Sequence, residues 1–314
     1  MNNSGNLKRC EILGRNKNKK EKYIMTKSVM TVMRSLLIVF CLMTFVQPLM
    51  ARTLRAMTFN IRLGSADDGI NSWKYRCDDV RSFIKTMKPD VFGVQEAVPE
   101  QMKFLSDTLK DYAHVGVGRE DGKDGGEHMA VFYRKDLYKL VNSGNFWLSE
   151  TPEVPSKGWD AACKRICTWA VLQNVKNGKS FLFANTHLDH VGETARVNGA
   201  MLVKQRLSRL DNGLPVIVTG DFNVTETSPS YATMRDRIFP LVDSHKQAKK
   251  VLGMKASYHG YGSIPDEKGD KIDFIFVSPG IKVKKSHIFN SLIGDGRYLS
   301  DHHPVYVDLS GKMF

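Results

Sequence analysis

Ser300-Asp301-His302-His303-Pro304-Val305-Tyr306-Val307 sets a polar cluster directly against a β-strand near the end of the chain. Val305, Val307 and Leu309 alternate with Tyr306 and Asp308, the period of a strand. An imidazole beside a carboxylate at a strand end is a candidate general base. Taken alone, the pair also fits an ordinary hydrogen-bonded turn. Four earlier stretches strengthen it, because each ends an apolar run in polar residues. They are Phe59-Asn60, Gln95-Glu96, Asn185-Thr186-His187 and Gly220-Asp221-Phe222-Asn223. A fifth, Lys271-Ile272-Asp273, opens such a run.

Outward from these ends, strands and helices interleave. Strands are predicted over residues 54–61, 91–94, 114–117, 129–133, 215–219, 271–277 and 305–309. Trp73, Cys77, Val80, Ile84 and Met87 recur at helical spacing, and Lys88-Pro89-Asp90 stops that helix. Pro99 suits the first turn of a second helix with Met102, Leu105 and Leu109 inside. Ala200, Val203, Leu207 and Leu210 mark a third. Residues 168–175 and 180–185 read as a hairpin across Asn177-Gly178. Two loops stand out: a glycine-rich one over 118–127, expected to be flexible, and an irregular stretch over 150–164. Loops as long as the second usually serve a site. The hairpins imply a mixed sheet within one α/β domain.

The chain has 314 residues, 42% hydrophobic and 25% charged, enough for a large core. Its net charge of +13 is uneven: residues 1–51 carry +7, with nine Lys/Arg against two Glu. Residues 52–314 carry +6, which does not argue for a nucleic-acid partner. The N-terminal excess belongs to a targeting pattern. Met33-Arg34-Ser35 precedes eleven mostly apolar residues, 36–46, then Gln47-Pro48-Leu49-Met50-Ala51. A basic flank, a short apolar run and a small residue after a helix breaker describe a secretory signal peptide. The expected layout is an N-terminal extension and signal over 1–51 and a domain over 52–314. The expected location is secreted or periplasmic, or membrane-anchored if the signal is not cleaved. Met25, Met30 and Met33 also offer later starts. Three cysteines remain after residue 51, Cys77, Cys163 and Cys167, so at least one is unpaired; a Cys163–Cys167 bridge is left open.

Side by side, polar strand ends form a pocket at the rim of a sheet. Asn60, Glu96, His187, Asp221, Asn223, Asp273, Asp301 and His302 supply hard oxygen ligands and imidazoles. Such ligands suit Mg²⁺ or Mn²⁺ rather than zinc. A divalent ion would neutralise phosphate oxygens, a His would take a proton from water, and further donors would hold the developing charge.

In order, Asn60, Gln95-Glu96, Asn185-Thr186-His187-Leu188-Asp189, Gly220-Asp221-Phe222-Asn223, Lys271-Ile272-Asp273-Phe274-Ile275-Phe276 and Ser300-Asp301-His302 resemble the motif set of the endonuclease/exonuclease/phosphatase superfamily, over roughly 54–309. The resemblance implies a DNase I-like four-layer α/β sandwich, two mixed β-sheets packed face to face with helices outside. It also implies a metal-dependent phosphoric ester hydrolase. Carried over, Glu96 is the main metal ligand, with Asn60 and Asp301 beside it. Asp221 orients or deprotonates the attacking water, and Asn223 contacts phosphate. His302 is the catalytic histidine with Asp273 as its orienting carboxylate, and His187 is a second histidine near the phosphate or leaving group. Arg165, His190 and His128 are candidate substrate contacts, and Tyr258-His259-Gly260-Tyr261 resembles an aromatic loop near the site in some relatives.

The stretches 146–151, 158–165 and 185–191 look most like a secreted bacterial branch. The expected substrate is phosphorylated: nucleic acid, nucleotide, inositol or sugar phosphate, or a phospholipid head group. A phosphodiesterase, a phosphomonoesterase and a sphingomyelinase-like lipid enzyme all stay open, as does a module that binds a phosphorylated ligand without turnover. No obligate protein partner is evident, and a monomer is expected.

Overall fold

The computed structural model describes residues 53–311, together with 22–28, 30, 31 and 33, which are helical and exposed. Apart from Met33, the targeting segment expected over 33–51 lies outside the described residues. In chain order the strands are β1 (Leu54–Asn60), β2 (Val91–Gln95), β3 (Tyr112–Val115), β4 (Val131–Arg134), β5 (Tyr138–Trp147), β6 (Ile166–Asn174), β7 (Ser180–His187), β8 (Val216–Asp221), β9 (Val242–Asp243), β10 (Val251–Gly253), β11 (Asp273–Val277), β12 (Lys282–Ile288) and β13 (Val305–Ser310). The helices are α1 (Trp73–Met87), α2 (Pro99–Thr108), α3 (Glu193–Leu210), α4 (Pro229–Arg235) and α5 (Ser244–Gln247).

The strands build two sheets, ordered β10-β12-β13-β1-β2-β4-β3 and β5-β6-β7-β8-β11-β9. Both are mixed. β1 pairs parallel with β2 and antiparallel with β13; β8 pairs parallel with β7 and antiparallel with β11. The pleat then sorts side chains by parity. Leu54, Ala56, Val91, Val305 and Val307 of one sheet pack with Phe181, Phe183, Ile217, Ile275 and Val277 of the other. Neighbouring positions face outward. Met57, Phe59, Phe92 and Val94 meet Trp73, Val80 and Ile84 of α1 and Met102 and Leu105 of α2. Leu182, Val216, Val218, Phe274 and Phe276 meet Ala200, Val203 and Leu207 of α3 and Tyr231 and Met234 of α4. Each fully buried aliphatic or aromatic side chain of this kind stabilises the fold by about 1.5–3 kcal/mol. The result is the expected four-layer sandwich: helix, sheet, sheet, helix.

Helix limits follow local chemistry. Lys88 takes a left-handed conformation (φ 46°) and its N–H returns to the Ile84 carbonyl, ending α1 just before Pro89. Pro99 opens α2, and the Val98 N–H donates to Gln101 Oε1 at 3.1 Å.

Several expectations need correction. The edge of the second sheet, β5, begins at Tyr138, well before the apolar signal at Phe146. Its residues 139–142 are exposed, Leu140 and Val141 included, and a bulge between Leu140 and Asn142 breaks the alternation. β12 is masked in the same way by lysines and a register shift between Val283 and Lys285. Loop 118–127 is cross-braced: Gly118 N–H donates to Lys123 O at 2.7 Å and Glu120 N–H to Gly125 O at 3.0 Å. Cys163 and Cys167 are both free thiols.

Candidate active site

The inward-facing row of each central strand starts apolar and ends polar. Along β1 it reads Leu54, Ala56, Thr58, Asn60; along β7, Phe181, Phe183, Asn185, His187; along β8, Ile217, Thr219, Asp221. β11 runs the other way and starts with Asp273 before Ile275 and Val277. The register aligns these ends. His187 lies opposite Asp221, Asp221 opposite Asp273, and Asn60 opposite Gln95.

A hydrogen-bonded layer separates the apolar gap from the cleft. Gln95 Nε2 donates to Thr58 Oγ1 at 3.0 Å and to Asn185 Oδ1 at 2.6 Å; Thr219 Oγ1 donates to Asn185 Oδ1 at 3.2 Å. Asn185 Nδ2 reaches across to the Val94 carbonyl at 2.8 Å. Gly93 makes this approach possible, since a Cβ there would lie 2.3 Å from Asn185 Oδ1.

Above this layer His302 Nδ1 faces Asp273 Oδ2 at 2.8 Å, and its Nε2 lies 3.7 Å from Asp221 Oδ2. His187 Nε2 sits 3.4 Å from the same Asp221 oxygen and 2.9 Å from the Asn223 amide nitrogen. Asn60 Nδ2 links the two halves, donating to Glu96 Oε1 at 2.9 Å and Asp221 Oδ2 at 3.0 Å. Glu96 Oε2 accepts from the Leu63 N–H at 2.8 Å. Asp301 accepts from Ser300 Oγ and lies 3.8 Å from Arg62 Nη1. Glu96 (φ 63°), directly after β2, and Asn223 (φ 50°), two residues after β8, both adopt left-handed backbone. That conformation costs a non-glycine residue roughly 1–2 kcal/mol and turns both side chains out of the pleat's alternation.

The cleft has a volume of about 430 Å³, and Arg62, Glu96, Arg165, His187, His190, Asp221, Asn223, Asp301 and His302 line it. Asn60 and Asp273 form its floor through the hydrogen bonds above. His128 is the exception among the expected residues: it is buried, its ring Nδ1 faces the Ala97 carbonyl at 3.1 Å, and it is not among the lining residues. Arg119, Glu127 and Cys163 also line the cleft without having been singled out from sequence, and Tyr258 packs its ring 5.0 Å from that of His302. The clue to Arg119 and Glu127 was the length and glycine content of loop 118–127, read there only as flexibility.

Charges separate the two imidazoles. Burial opposes a charged His302, but Asp273, Asp221 and Asp301 outweigh it and raise its pKa well above the ordinary value. Burial, followed by the Arg165 and Arg119 guanidiniums, pushes His187 well below its ordinary value, so it is a neutral imidazole. Burial and the neighbouring Asp273 raise Asp221. Burial also raises Asp301, with Glu96 adding to the effect.

The donor set suits a hard divalent cation. Glu96 and Asp301 repel one another across the cleft, and Glu96, His187 and Asp221 can bring ligand atoms within 4.8 Å of one another. Glu96 and Asp301 supply oxygen donors of the kind Mg²⁺ or Mn²⁺ takes. Asn60 points its Nδ2 at Glu96 while its Oδ1 accepts from the Arg62 N–H at 3.0 Å, so it would join them only with its amide turned over.

Comparison with known proteins agrees with this geometry. A match to the Endonuclease/Exonuclease/phosphatase family spans residues 57–302. An endonuclease/exonuclease/phosphatase from Bacteroides vulgatus is 42% identical, superposing over 83% of this chain and 99% of its own at a TM-score of 0.80. A mannosyl-6-phosphatase from Bacteroides thetaiotaomicron is 38% identical over 82% of this chain and 99% of its own, at a TM-score of 0.76. Nocturnin from Drosophila melanogaster is 26% identical over 83% of this chain. The chain spans 47% of that relative's length and 33% of an uncharacterized mimivirus protein's. The sandwich is DNase I-like, and the chain belongs to the endonuclease/exonuclease/phosphatase family of phosphoester hydrolases.

Proposed function

We propose that this protein is an exported, divalent-metal-dependent phosphomonoesterase acting on a sugar phosphate. The observation that carries the hydrolytic reading is the His302–Asp273 pair, 2.8 Å apart, with His302 Nε2 turned toward Asp221. Asp273 fixes the ring so that Nε2 faces the cleft. Between them, His302 Nε2 and Asp221 Oδ2 hold and move the proton of an attacking water. Neutral His187 and the Asn223 amide offer hydrogen bonds to terminal phosphate oxygens. Glu96 and Asp301, joined by Asn60 with its amide turned over, would hold Mg²⁺ or Mn²⁺, which supplies charge neutralisation and polarisation of the phosphoryl group.

The monoester reading draws support from the mannosyl-6-phosphatase, which is alike over almost its whole length. It also draws on three arginines, Arg62, Arg119 and Arg165, around one small cleft, suited to a dianionic group. Among the described residues no Phe or Trp lines the cleft, and its one Tyr, Tyr258, packs its ring at 59° against His302. Export rests on the basic and apolar pattern of residues 33–51.

The test is steady-state hydrolysis by the full chain with Mg²⁺, Mn²⁺ or EDTA. Hexose 6-phosphates, inositol phosphates and p-nitrophenyl phosphate would be set against bis-p-nitrophenyl phosphate, RNA, DNA and sphingomyelin. EDTA-sensitive turnover of the sugar monoesters is expected; turnover of diesters alone would replace this reading with a phosphodiesterase. Phosphate-ligand binding without product would replace it with a binding module. Sequencing the N-terminus of the protein recovered from the host checks export.

A further inference from the structure

We propose that Arg119, aimed by Glu127, is the specificity-determining residue that makes this cleft prefer the dianionic group of a phosphomonoester to the monoanionic group of a diester. The inference rests on the monoester reading above and names the residue that enforces it. Loop 118–127 is folded tightly on itself: Arg119 N–H donates to Glu127 O at 3.0 Å, and a Cβ on Gly118 would lie 2.2 Å from Gly125 O. The far wall braces it. Trp147 Nε1 donates to Arg119 O at 2.7 Å and Lys164 Nζ to Glu120 O at 2.8 Å.

Inside this frame the Arg119 guanidinium makes a two-point contact with Glu127. Nη1 donates to Oε2 at 2.8 Å and Nη2 to Oε1 at 2.7 Å, with the side chains 12% and 13% exposed. A bidentate fork fixes direction as well as position. It leaves Nε, which is buried, makes no hydrogen bond among the described residues and lies 3.5 Å from Glu120 Oε1. The other cleft arginines differ. Arg62 commits its Nε and one terminal nitrogen to Asp68, and Arg165 commits Nε to Asp189 and Nη2 to His190. Neither leaves a buried donor unmatched. An unmatched buried donor is costly until an acceptor arrives. The Arg119 charge is also felt at His187, which stands beside Asp221 and Asn223 on the cleft floor. An acceptor bound over that floor therefore lies within the reach of the Arg119 field.

A monoester brings three terminal oxygens and two negative charges; a diester brings two oxygens and one charge. Glu127 offsets much of the Arg119 charge, so the discrimination rests on the hydrogen bond that Nε can still donate rather than on net charge. The third oxygen gives Arg119 Nε an acceptor that a diester lacks.

The experiment measures kcat/KM of the full-length wild type, Arg119→Ala and Arg119→Lys on p-nitrophenyl phosphate and bis-p-nitrophenyl phosphate, with the inhibition constant of inorganic phosphate. The double variant Arg119→Leu/Glu127→Leu removes both charges, so no unpaired carboxylate is left buried to unfold the protein. The monoester-to-diester ratio should fall about 10- to 100-fold in Arg119→Ala and in the double variant. The loss should lie mainly in KM, inhibition by phosphate should weaken in parallel, and Arg119→Lys should recover part of the ratio. Equal losses on both esters, or an unchanged ratio in a wild type that prefers monoesters, would overturn the role of Arg119 alone. A wild type that turns over only diesters would overturn this inference together with the monoester reading.

Discussion

The gap between the two sheets has two ends, built from the same strands on the same face. At one end Leu54, Val91, Phe181, Ile217 and Val277 are fully buried and interlock. At the other, four to six residues away along each strand, stand Asn60, Gln95, His187, Asp221 and Asp273, equally buried but polar. The backbone geometry of the two ends is alike, so the difference lies in chemistry alone. The apolar end gains free energy from burial. The polar end desolvates carboxylates and imidazoles and adds strained backbone at Glu96 and Asn223. Its groups are fixed in place only because the other end holds the sheets together.

This contrast can be broken from either side. His302→Ala or Asp221→Ala should lower kcat/KM by about 10²- to 10⁴-fold while leaving the melting temperature unchanged or raised. Enzyme kinetics and calorimetry on one preparation check both halves. Removing divalent metal with EDTA should abolish turnover, and Mg²⁺ or Mn²⁺ should restore it. At the apolar end the effects should reverse. Ile217→Ala or Phe183→Ala should cost about 2–5 kcal/mol in denaturant unfolding, with kcat per folded molecule unchanged.

The layer between the ends should show a smaller, mixed effect. Asn185→Ala takes one of two acceptors from Gln95 Nε2 and a donor from each of the Val94 and Ala130 carbonyls, and should cost about 1–3 kcal/mol.

Last is a pH effect behind the site. His259 and His303 stack 3.9 Å apart, and burial lowers them to about 3 and about 4. Their folded values lie below the ordinary value near 6.5, so the unfolded chain takes up protons first. Stability contributed by the neutral pair is complete above about pH 6.5 and declines as pH falls toward 4 and 3. Denaturant melts between pH 7 and 4 should show this slope, and it should weaken in His259→Gln.

Much of this organisation was legible in the sequence, for a physical reason. Central strands are buried on both faces, so their apolar runs and abrupt polar endings survive as pattern; Val216–Asp221 and Val305–Ser310 are examples. Edge strands are covered on neither side so completely. β5, at an edge, and β12, flanked on its outer side only by the three-residue β10, carry lysines and bulges, and their pattern dissolves. The site divides in the same way. Residues fixed by strand ends were found, because a strand end leaves a mark. Arg119 and Glu127 were not, because a hydrogen-bonded loop sets its side chains through turns with no period. His128 shows the converse error: a histidine after a glycine pair suggested a cleft residue, yet its strand-side position buries it against Ala97.

The most direct measurement is hydrolysis of p-nitrophenyl phosphate and a hexose 6-phosphate by full-length Glu96→Ala at saturating Mg²⁺, beside its melting curve. The expected result is a folded protein with a thousandfold or greater loss of turnover, on the order of 4 kcal/mol of transition-state stabilisation. A folded Glu96→Ala protein that retains wild-type turnover would contradict the assignment of the polar end as the hydrolytic site.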